Sequence, residues 1–554
     1  MIPDNIINKK SGVLMVITLI FWIILVVYML WDVWSLVAGA APPNIKIIFI
    51  IFSFLFSFFL LDVVIIFVSL FFSHFRKDKT CEILKNSKRK YVREKTPKVT
   101  LLYCTYNDFY ERAVAACLNQ NYENYHVYIL DDSNDIEYKD KIDEFIRLNL
   151  GRASVIRREN RLGFKAGNLN NALRLINDQY EYFAVIDSDT LLPRNFIADT
   201  LPWFSINDKI AFVQANNKGY TKVNNSISSA LALGIELHYR NFPATKNQYG
   251  LSVFYGHNAM IKTEVWKKIN GFPEIVSEDI AFSLVVRSLG YCGIFVKELV
   301  CQESFPADYI ELRRRSEKWT KGTLEFLLKF LPKFLKDKKI YWFEKLDIFL
   351  AAISCIFPFP YLFLLLVTGM SALFNYLIKI KVTHASYYPL ISNTIKKLEI
   401  NLLFFVMLTP CAVLILLLVS KDTDKNKIIK KAINYIVYQT YYFLANFIKI
   451  TINIISFIMF GKVDFPVTGD RKRFSKDKNL IYSEDFIATL IEYIVVATFL
   501  YIGIAVKNNW LGLIGVSSLL NLYIFQRSEV GKIAVLFIYV IFFITVIVSS
   551  SYFF

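Results

Sequence analysis

Long apolar stretches stand on both sides of a very different central segment, and they limit what this chain can fold into. Val13 to Trp34 and Ile47 to Phe72 are each long enough to cross a bilayer as a helix. Leu346 to Phe374 and Ile400 to Ser420 form a second pair, the first kinked at Phe357-Pro-Phe-Pro360. Ile491 to Val506, Leu511 to Phe525 and Ile533 to Val548 close the chain, for about seven spans in all. The composition agrees: 55% hydrophobic and 16% aromatic residues are too many for an ordinary soluble protein of 554 residues. The formal net charge is nevertheless +17, so basic clusters coexist with the apolar bulk. Lys9 and Lys10 precede the first span, and a basic run from Arg76 to Arg93 follows the second. Both flanks are therefore expected on the cytosolic side. Val13 to Trp34 is too long, and too poorly followed by a cleavage site, for a signal peptide. Asp62 lies within the second span, where it packs against other spans or lines a polar path. Seven cysteines without a Cys-x-x-Cys pair argue against a zinc or disulfide framework and suit a reducing compartment.

From residue 98 to about 312 the apolar runs shorten and alternate with helical patterns. Val99–Cys104, His126–Leu130, Ala153–Arg157, Phe183–Ile186 and Ile210–Ala215 read as strands; Phe109–Leu118, Lys139–Leu148 and Gly167–Leu175 read as helices. That alternation predicts a mainly parallel sheet in one α/β domain. Thr320 to Lys339 has apolar residues at helical spacing and lysines opposite them, which predicts an amphipathic helix lying on the membrane. Between the basic runs Lys421–Lys431 and Arg471–Lys478, the apolar Ala432 to Phe460 reads as interfacial or re-entrant helices with Lys449 at their polar edge. The expected organisation is thus 1–75 for the first spans, 76–319 for a cytosolic domain, 320–345 for an interfacial helix, 346–420 for a span pair, 421–485 for interfacial helices and a loop, and 486–554 for the closing spans.

Within the α/β segment, the run Phe183 to Ile186 stops at Asp187 and Asp189. Ligands of open α/β sheets sit just beyond such strand ends. Two carboxylates one residue apart suit Mg²⁺ or Mn²⁺, which fills its other positions with water and phosphate oxygens; alone, the pair also fits an Asp-rich turn. Three further clusters end strands or open helices: Leu102-Tyr-Cys-Thr-Tyr-Asn-Asp108, Tyr128-Ile-Leu-Asp-Asp-Ser133 and Arg161-Leu-Gly-Phe-Lys-Ala-Gly-Asn-Leu-Asn170. Together they can hold a nucleotide, with carboxylates for base or ribose hydrogens and a helix start plus Lys165 for phosphates.

The order Thr-Tyr-Asn, Asp-Asp-Ser, Lys-Ala-Gly-Asn-Leu-Asn, Asp-x-Asp, Ser-Glu-Asp resembles the membrane-embedded family 2 glycosyltransferases, the processive synthases of cellulose, chitin, hyaluronan and related glucans. The resemblance covers residues 98–325 and implies a GT-A fold between transmembrane helices, a UDP-sugar donor and Mg²⁺ or Mn²⁺. It places Thr105, Tyr106, Asp131 and Asp132 along the uridine, Lys165 by the nucleotide, and Asp187 and Asp189 at the metal-bound diphosphate. It makes Asp279 of Ser277-Glu-Asp279 the general base. Arg313-Arg-Arg-Ser-Glu-Lys-Trp-Thr-Lys-Gly322 takes the place of the family's Gln-x-x-Arg-Trp, with Arg315 for Gln, Lys318 for Arg, and Trp319 retained. These three residues, Glu278 and His257 of Phe254-Tyr-Gly-His-Asn-Ala-Met260 are implied near the acceptor. Gly-His-Asn-Ala looks more like the periplasmic-glucan synthases than cellulose synthase. Phe465-Pro-Val-Thr-Gly-Asp-Arg471 is similar to the gating loop of cellulose synthases at Phe465, Val467 and Thr468, but Asp470 replaces its lysine.

What the resemblance implies is a multi-pass protein of the plasma (inner) membrane that polymerises UDP-glucose into a β-linked cell-envelope or capsule polysaccharide and exports it. A UDP-N-acetylglucosamine or hyaluronan-like synthase is an alternative, as is a non-processive enzyme acting on a lipid or short glycan. A transporter or sensor with a degenerate sugar site is a third. Expected partners are the donor, the growing polysaccharide and the bilayer, with room for a homo-oligomer or accessory subunits; no nucleic acid and no fused C-terminal cyclic-dinucleotide receptor are expected.

Overall fold

A computed structural model describes residues 12–37, single positions between 57 and 72, residues 96–176, 178–220, 226–305, 309–353 and 449–461, and three positions between 494 and 501. Seven strands form one sheet in the order β3-β2-β1-β4-β6-β5-β7. They are β1 Val99–Thr105, β2 Tyr125–Asp131, β3 Ala153–Arg157, β4 Tyr182–Asp187, β5 Ile210–Tyr220, β6 Ala259–Lys262 and β7 Cys292–Ser304. Only β6 runs against its neighbours, pairing antiparallel with both β4 and β5. The described sheet is thus mainly parallel, as expected from the sequence, with β6 as an antiparallel member.

The described helices are α1 Val13–Val37, α2 Glu111–Leu118, α3 Ile136–Leu148, α4 Phe164–Leu175, α5 Phe196–Phe204, α6 Ser226–Tyr249, α7 Thr263–Lys268, α8 Glu278–Ser288, α9 Tyr309–Lys329, α10 Leu331–Leu335 and α11 Trp342–Ile353. Alternate strand residues feed two cores. Leu101, Ile129 and Ile186 pack with α2, α3 and α5 on one face, through Val114, Phe145 and Trp203. Leu102, Leu130 and Val185 pack with α4, α7 and α8 on the other, through Leu169, Trp266 and Phe282. The period of two along each strand thus makes both faces apolar.

A third layer covers α8. Its outer residues Ala281 and Leu284 meet Phe326, Leu331, Phe334 and Ile348 of α9, α10 and α11. This differs from the expected helix over Thr320–Lys339. The helix starts at Tyr309 and ends at Lys329, and a short helix follows with Pro332 in its first turn. The apolar face read as membrane-seeking is instead largely spent on the α/β domain, while Leu328, Lys329, Lys333 and Leu335 stay exposed. Likewise α11, which opens the expected span from Leu346, buries Ile348, Leu350 and Ala352.

On another side Leu14 and Met15 of α1 pack with Val64, Val68, Tyr249 and Phe343. Among the residues whose side chains are described, no helix is long and apolar enough to cross a membrane. Helix α1 itself runs 25 residues, and its side chains are described at 13–28 and 31. The expected spans 400–420, 511–525 and 533–548, and the loop residues Phe465, Val467 and Thr468, lie outside the described residues. Helical residues 449–460 rest on α9: Ile450, Ile454 and Phe457 meet Leu324, and Lys449 is buried 3.7 Å from Glu317. Lys449 is thus paired rather than at a polar edge.

Candidate active site

Parallel register aligns the strand ends. Thr105 stands beside Asp131, Cys104 beside Asp187, and Asp131 beside Arg157. The carboxyl edge of β1–β4 therefore collects the motifs read from the sequence.

Asp187 is one centre of this edge. Lys165, on the first turn of α4, donates to Asp187 Oδ1 and, at 2.8 Å, to the carbonyl of Gly256. Gly167 follows because any side chain there would strike the carbonyl of Leu162, as α4 folds tightly back on the preceding loop. Burial alone would raise the Asp187 pKa, but Lys165 first, then His257 and Lys318, draw it down to about 2. Burial works against the Lys165 charge too, yet Asp187 and its anionic neighbours raise its pKa. The pair is an ion pair in this state.

The loop after Asp187 is held by residues that sequence reasoning did not single out. Ser188 donates to Asp108 Oδ2 at 2.6 Å, and its carbonyl accepts from the Tyr103 hydroxyl at 3.0 Å. Asp108 Oδ1 also accepts from Thr105 Oγ1 at 2.8 Å and from Tyr106 N at 2.7 Å. Burial pushes the Asp108 carboxyl up to about 6, against these three hydrogen bonds. Asp189 is half-buried, and its carbonyl accepts from the Tyr220 hydroxyl at 3.1 Å.

The acidic motif comes from α8, which packs on the same face of the sheet as α4. Ser277 precedes α8, so Glu278 and Asp279 occupy its first turn, where a helix start favours anions. Gly256, at φ +84°, allows the 254–258 loop to turn against Asp279; a Cβ there would stand 3.5 Å from Asp279 Oδ2. Burial raises the Asp279 pKa, although the Ile280 amide, Lys165 and Lys318 lower it. Glu278 is raised by burial and by Asp279. Lys318 is lowered by burial, against Glu278, Asp187 and Asp279. Lys165, Asp187, Glu278, Asp279 and Lys318 thus form one cluster of alternating charge.

Gln214, fully buried on β5, fixes the loop between them. Its Nε2 donates to the His257 carbonyl at 2.9 Å and its Oε1 accepts from Tyr255 N at 3.0 Å. Glu303 on β7 holds the outer side: it lies 3.6 Å from His257 Nε2 and 3.6 Å from Arg315, and accepts from Asn217 at 3.2 Å. His257 Nδ1 is buried without a hydrogen-bond partner among the described residues. Arg315 belongs to this outer network, 4.7 Å over the ring of Trp319, which is 47% exposed.

The aspartates implied along the uridine are differently placed. The Asp131 side chain is wholly buried, accepting from Ser133 N at 2.9 Å and from Arg157 Nε at 2.6 Å. Asp132 is 5% exposed and is gripped by the Arg158 fork at 2.8 and 2.7 Å. Thr105 and Tyr106 are buried beside them. The edge thus presents Lys165, Asp187, Asp279 and Trp319, but spends both Asp131 and Asp132 on arginines.

Residues 182–419 match the profile of glycosyl transferase family group 2. A curated relative in Oryza sativa subsp. japonica, named as a probable glucomannan 4-beta-mannosyltransferase 11, is 24% identical over 236 residues, 40% of each protein. The UDP-forming cellulose synthase catalytic subunit of Pseudomonas fluorescens is 29% identical over 208 residues, 36% of this chain and 27% of that one. These matches support a family 2 glycosyltransferase. The aligned stretches span less than half of either relative. Among solved structures, the mannosyltransferase PcManGT from Pyrobaculum calidifontis, in complex with GDP-Man and Mn²⁺, aligns at TM-score 0.43 and 17% identity over 72% of this chain and 99% of that one. The sheet itself, open and mixed with helices on both faces, is in keeping with a GT-A fold.

Proposed function

We propose that this protein is a membrane-embedded inverting glycosyltransferase that polymerises a UDP-sugar, UDP-glucose by preference, into a β-linked polysaccharide and moves the product across the membrane. The observation that carries the reading is the meeting of Lys165, Asp187, Asp279 and Lys318 around Gly256, at the carboxyl edge of the sheet. In this mechanism an acceptor hydroxyl is deprotonated by Asp279 as its oxygen bonds to the anomeric carbon. The bond from that carbon to the diphosphate breaks on the opposite face, so an α-linked donor yields a β-linkage. Charge at the carbon passes through an oxocarbenium-like state. Lys165 and Lys318, which both act on Asp187, would meet the negative charge that grows on the departing diphosphate, and the exposed Trp319 would offer an aromatic face to the acceptor sugar. His257, Glu278 and Arg315 border the acceptor.

Among the described residues no group of three or more metal-ligating side chains stands ready. Asp187 and Asp189 nonetheless fit a Mg²⁺ or Mn²⁺ site completed by diphosphate and water, because such ions commonly take only one or two protein carboxylates. When bound, the ion would neutralise the leaving group. Phe465, Val467 and Thr468 would belong to a loop closing over the donor.

The relative named for UDP-forming cellulose synthesis favours UDP-glucose, and the one named for glucomannan mannosyl transfer makes a mannosyl donor the competing reading. Membrane embedding is supported by α1, which exposes Ile20, Phe21, Ile24, Val27 and Trp31, and the basic flanks Lys9–Lys10 and Arg76–Arg93 favour the cytosolic face of the plasma (inner) membrane for the α/β domain. The test is the full chain in lipid nanodiscs with UDP-glucose and Mn²⁺. UDP release with a product cut by β-glucanase is expected. A monosaccharide-lipid product without polymer would sink the synthase reading, and release from GDP-mannose alone would replace the donor.

A further inference from the structure

The two aspartates that the resemblance gives to the nucleoside are buried on Arg157 and Arg158, so neither carboxylate is offered to a base. What stands beside them is Arg161. Its guanidinium carbon lies 3.5 Å from the centre of the Tyr106 ring, a stacking contact that holds the planar group flat. Its ion pair with Asp132 is long, 3.8 Å, and its buried Nε has no hydrogen-bond acceptor among the described residues. A guanidinium carries five donors, and leaving a buried one unused is costly. The side chain is held in place by Tyr106 and Asp132, and at 31% exposure the rest of its guanidinium remains open to a ligand.

Its place in the chain says which. Arg161, on the connection from β3 to α4, and Lys165, in the first turn of α4, lie four residues apart, Arg161 against Tyr106 and Lys165 against Asp187. Arg158 pins that connection by donating to the carbonyls of Leu162 and Phe164 at 2.6 and 2.7 Å. If the Lys165 end takes the diphosphate, as the reading above holds, the Arg161 end takes the base.

We propose that Arg161 is the base-reading residue of the donor site, donating to an acceptor oxygen on the base edge while Tyr106 backs its guanidinium. Asp131 and Asp132 then act at one remove, by holding Arg157 and Arg158. The chemistry predicts a preference. Uracil presents the O4 acceptor where cytosine presents an amino donor, and a guanidinium can only donate. UDP and CDP differ at that edge alone.

This inference rests on the nucleotide-sugar reading, and binding of the two nucleotides separates them. Titration calorimetry on the full-length chain in detergent, with Mn²⁺, should show UDP binding at least about tenfold tighter than CDP, the scale of one well-made base contact. Arg161→Ala should weaken UDP by about tenfold or more, change CDP little, and erase the preference. Arg161→Lys, which keeps the charge and loses the planar fork, should restore only part of it. A variant that weakens UDP and CDP equally, or a wild-type chain with no preference, overturns the role of Arg161. A wild-type chain that binds neither nucleotide overturns the nucleotide-sugar reading itself. Asp132→Asn should instead lower the melting temperature while keeping the UDP-to-CDP ratio; a collapsed ratio in that variant would return base reading to the aspartate.

Discussion

In the proposed mechanism, Asp279 is the residue on which the chemistry turns. Asp279→Asn keeps its size and removes the proton acceptor, so turnover should fall by about 10²–10⁴-fold while UDP affinity stays near wild type. Steady-state rates beside calorimetric binding would check this; full turnover in the variant would remove Asp279 from the role. The pH dependence has a definite sign. Burial raises the Asp279 pKa, so the carboxyl keeps its proton to higher pH than an exposed aspartate, and transfer is lost as pH falls through that raised value. Lys318 lowers it, so Lys318→Met should move the acidic limb of the kcat profile to higher pH. An unmoved limb would mean that another group sets it. The placement of Asp187, Asp189, Lys165 and Asp279 at or just beyond strand ends and helix starts was legible in the sequence, because each sits in a short ordered motif. Gln214 and Glu303 were not, because each is an isolated polar residue whose partner, Tyr255 or His257, is 41 or 46 positions away (303 − 257 for the second); Asp108 closes a cluster that was legible, but its bond to Ser188, 80 positions on, was not. The opposite failure is Asp131 and Asp132, whose pattern signals a ligand but whose carboxylates are taken by Arg157 and Arg158.

At the scale of elements, the bearing of α9 on α8 matters most, since it brings Lys318 to the acidic motif. Contact is made at Gly322, where an added Cβ would lie 2.8 Å from Val276 Cγ1 and 2.9 Å from Ser277 Oγ. One turn on, Glu325 accepts from Val276 N at 3.2 Å. Gly322→Ala should therefore push α9 away from Ser277–Asp279. Overpacking of this kind costs about 1–3 kcal/mol, and the displaced Lys318 should lower kcat more than it alters UDP affinity. Denaturation and kinetics on the same preparation would test it; a variant with wild-type kcat would show that α9 tolerates the shift. The sequence showed this helix only in part. Its apolar period was clear from Thr320 on, but the run Arg313–Lys318 hid the first turns by breaking that period with charge. Strands β1 to β4 were legible as apolar runs closed by polar turns. Strand β7 was not, because Lys297, Glu298, Gln302 and Glu303 interrupt it, and its long pairing with β5 holds it regardless.

Across the whole molecule, buried ion pairs tie the α/β domain to the helix that leads toward the expected third span. Arg287 of α8 donates to both oxygens of Glu344 on α11 at 3.0 Å, and Lys246 of α6 lies 3.0 Å from Asp347. Glu344 is fully buried, so Glu344→Ala would leave Arg287 charged and unpaired, a loss of about 3–5 kcal/mol. Arg287→Met combined with Glu344→Leu should recover most of it in thermal denaturation; failure of the double variant to recover would point to packing rather than charge. This coupling could not be read from sequence, because Arg287 and Glu344 are 57 positions apart and belong to no shared motif. The central claim is transfer of a sugar from a UDP donor by the Asp187–Asp279 site, and it is tested most directly by UDP release from the full chain in nanodiscs supplied with UDP-glucose and Mn²⁺. The expected result is steady UDP release with a β-linked glucan, abolished by Asp279→Asn; release that persists in that variant, or no release from any UDP-hexose, would contradict it.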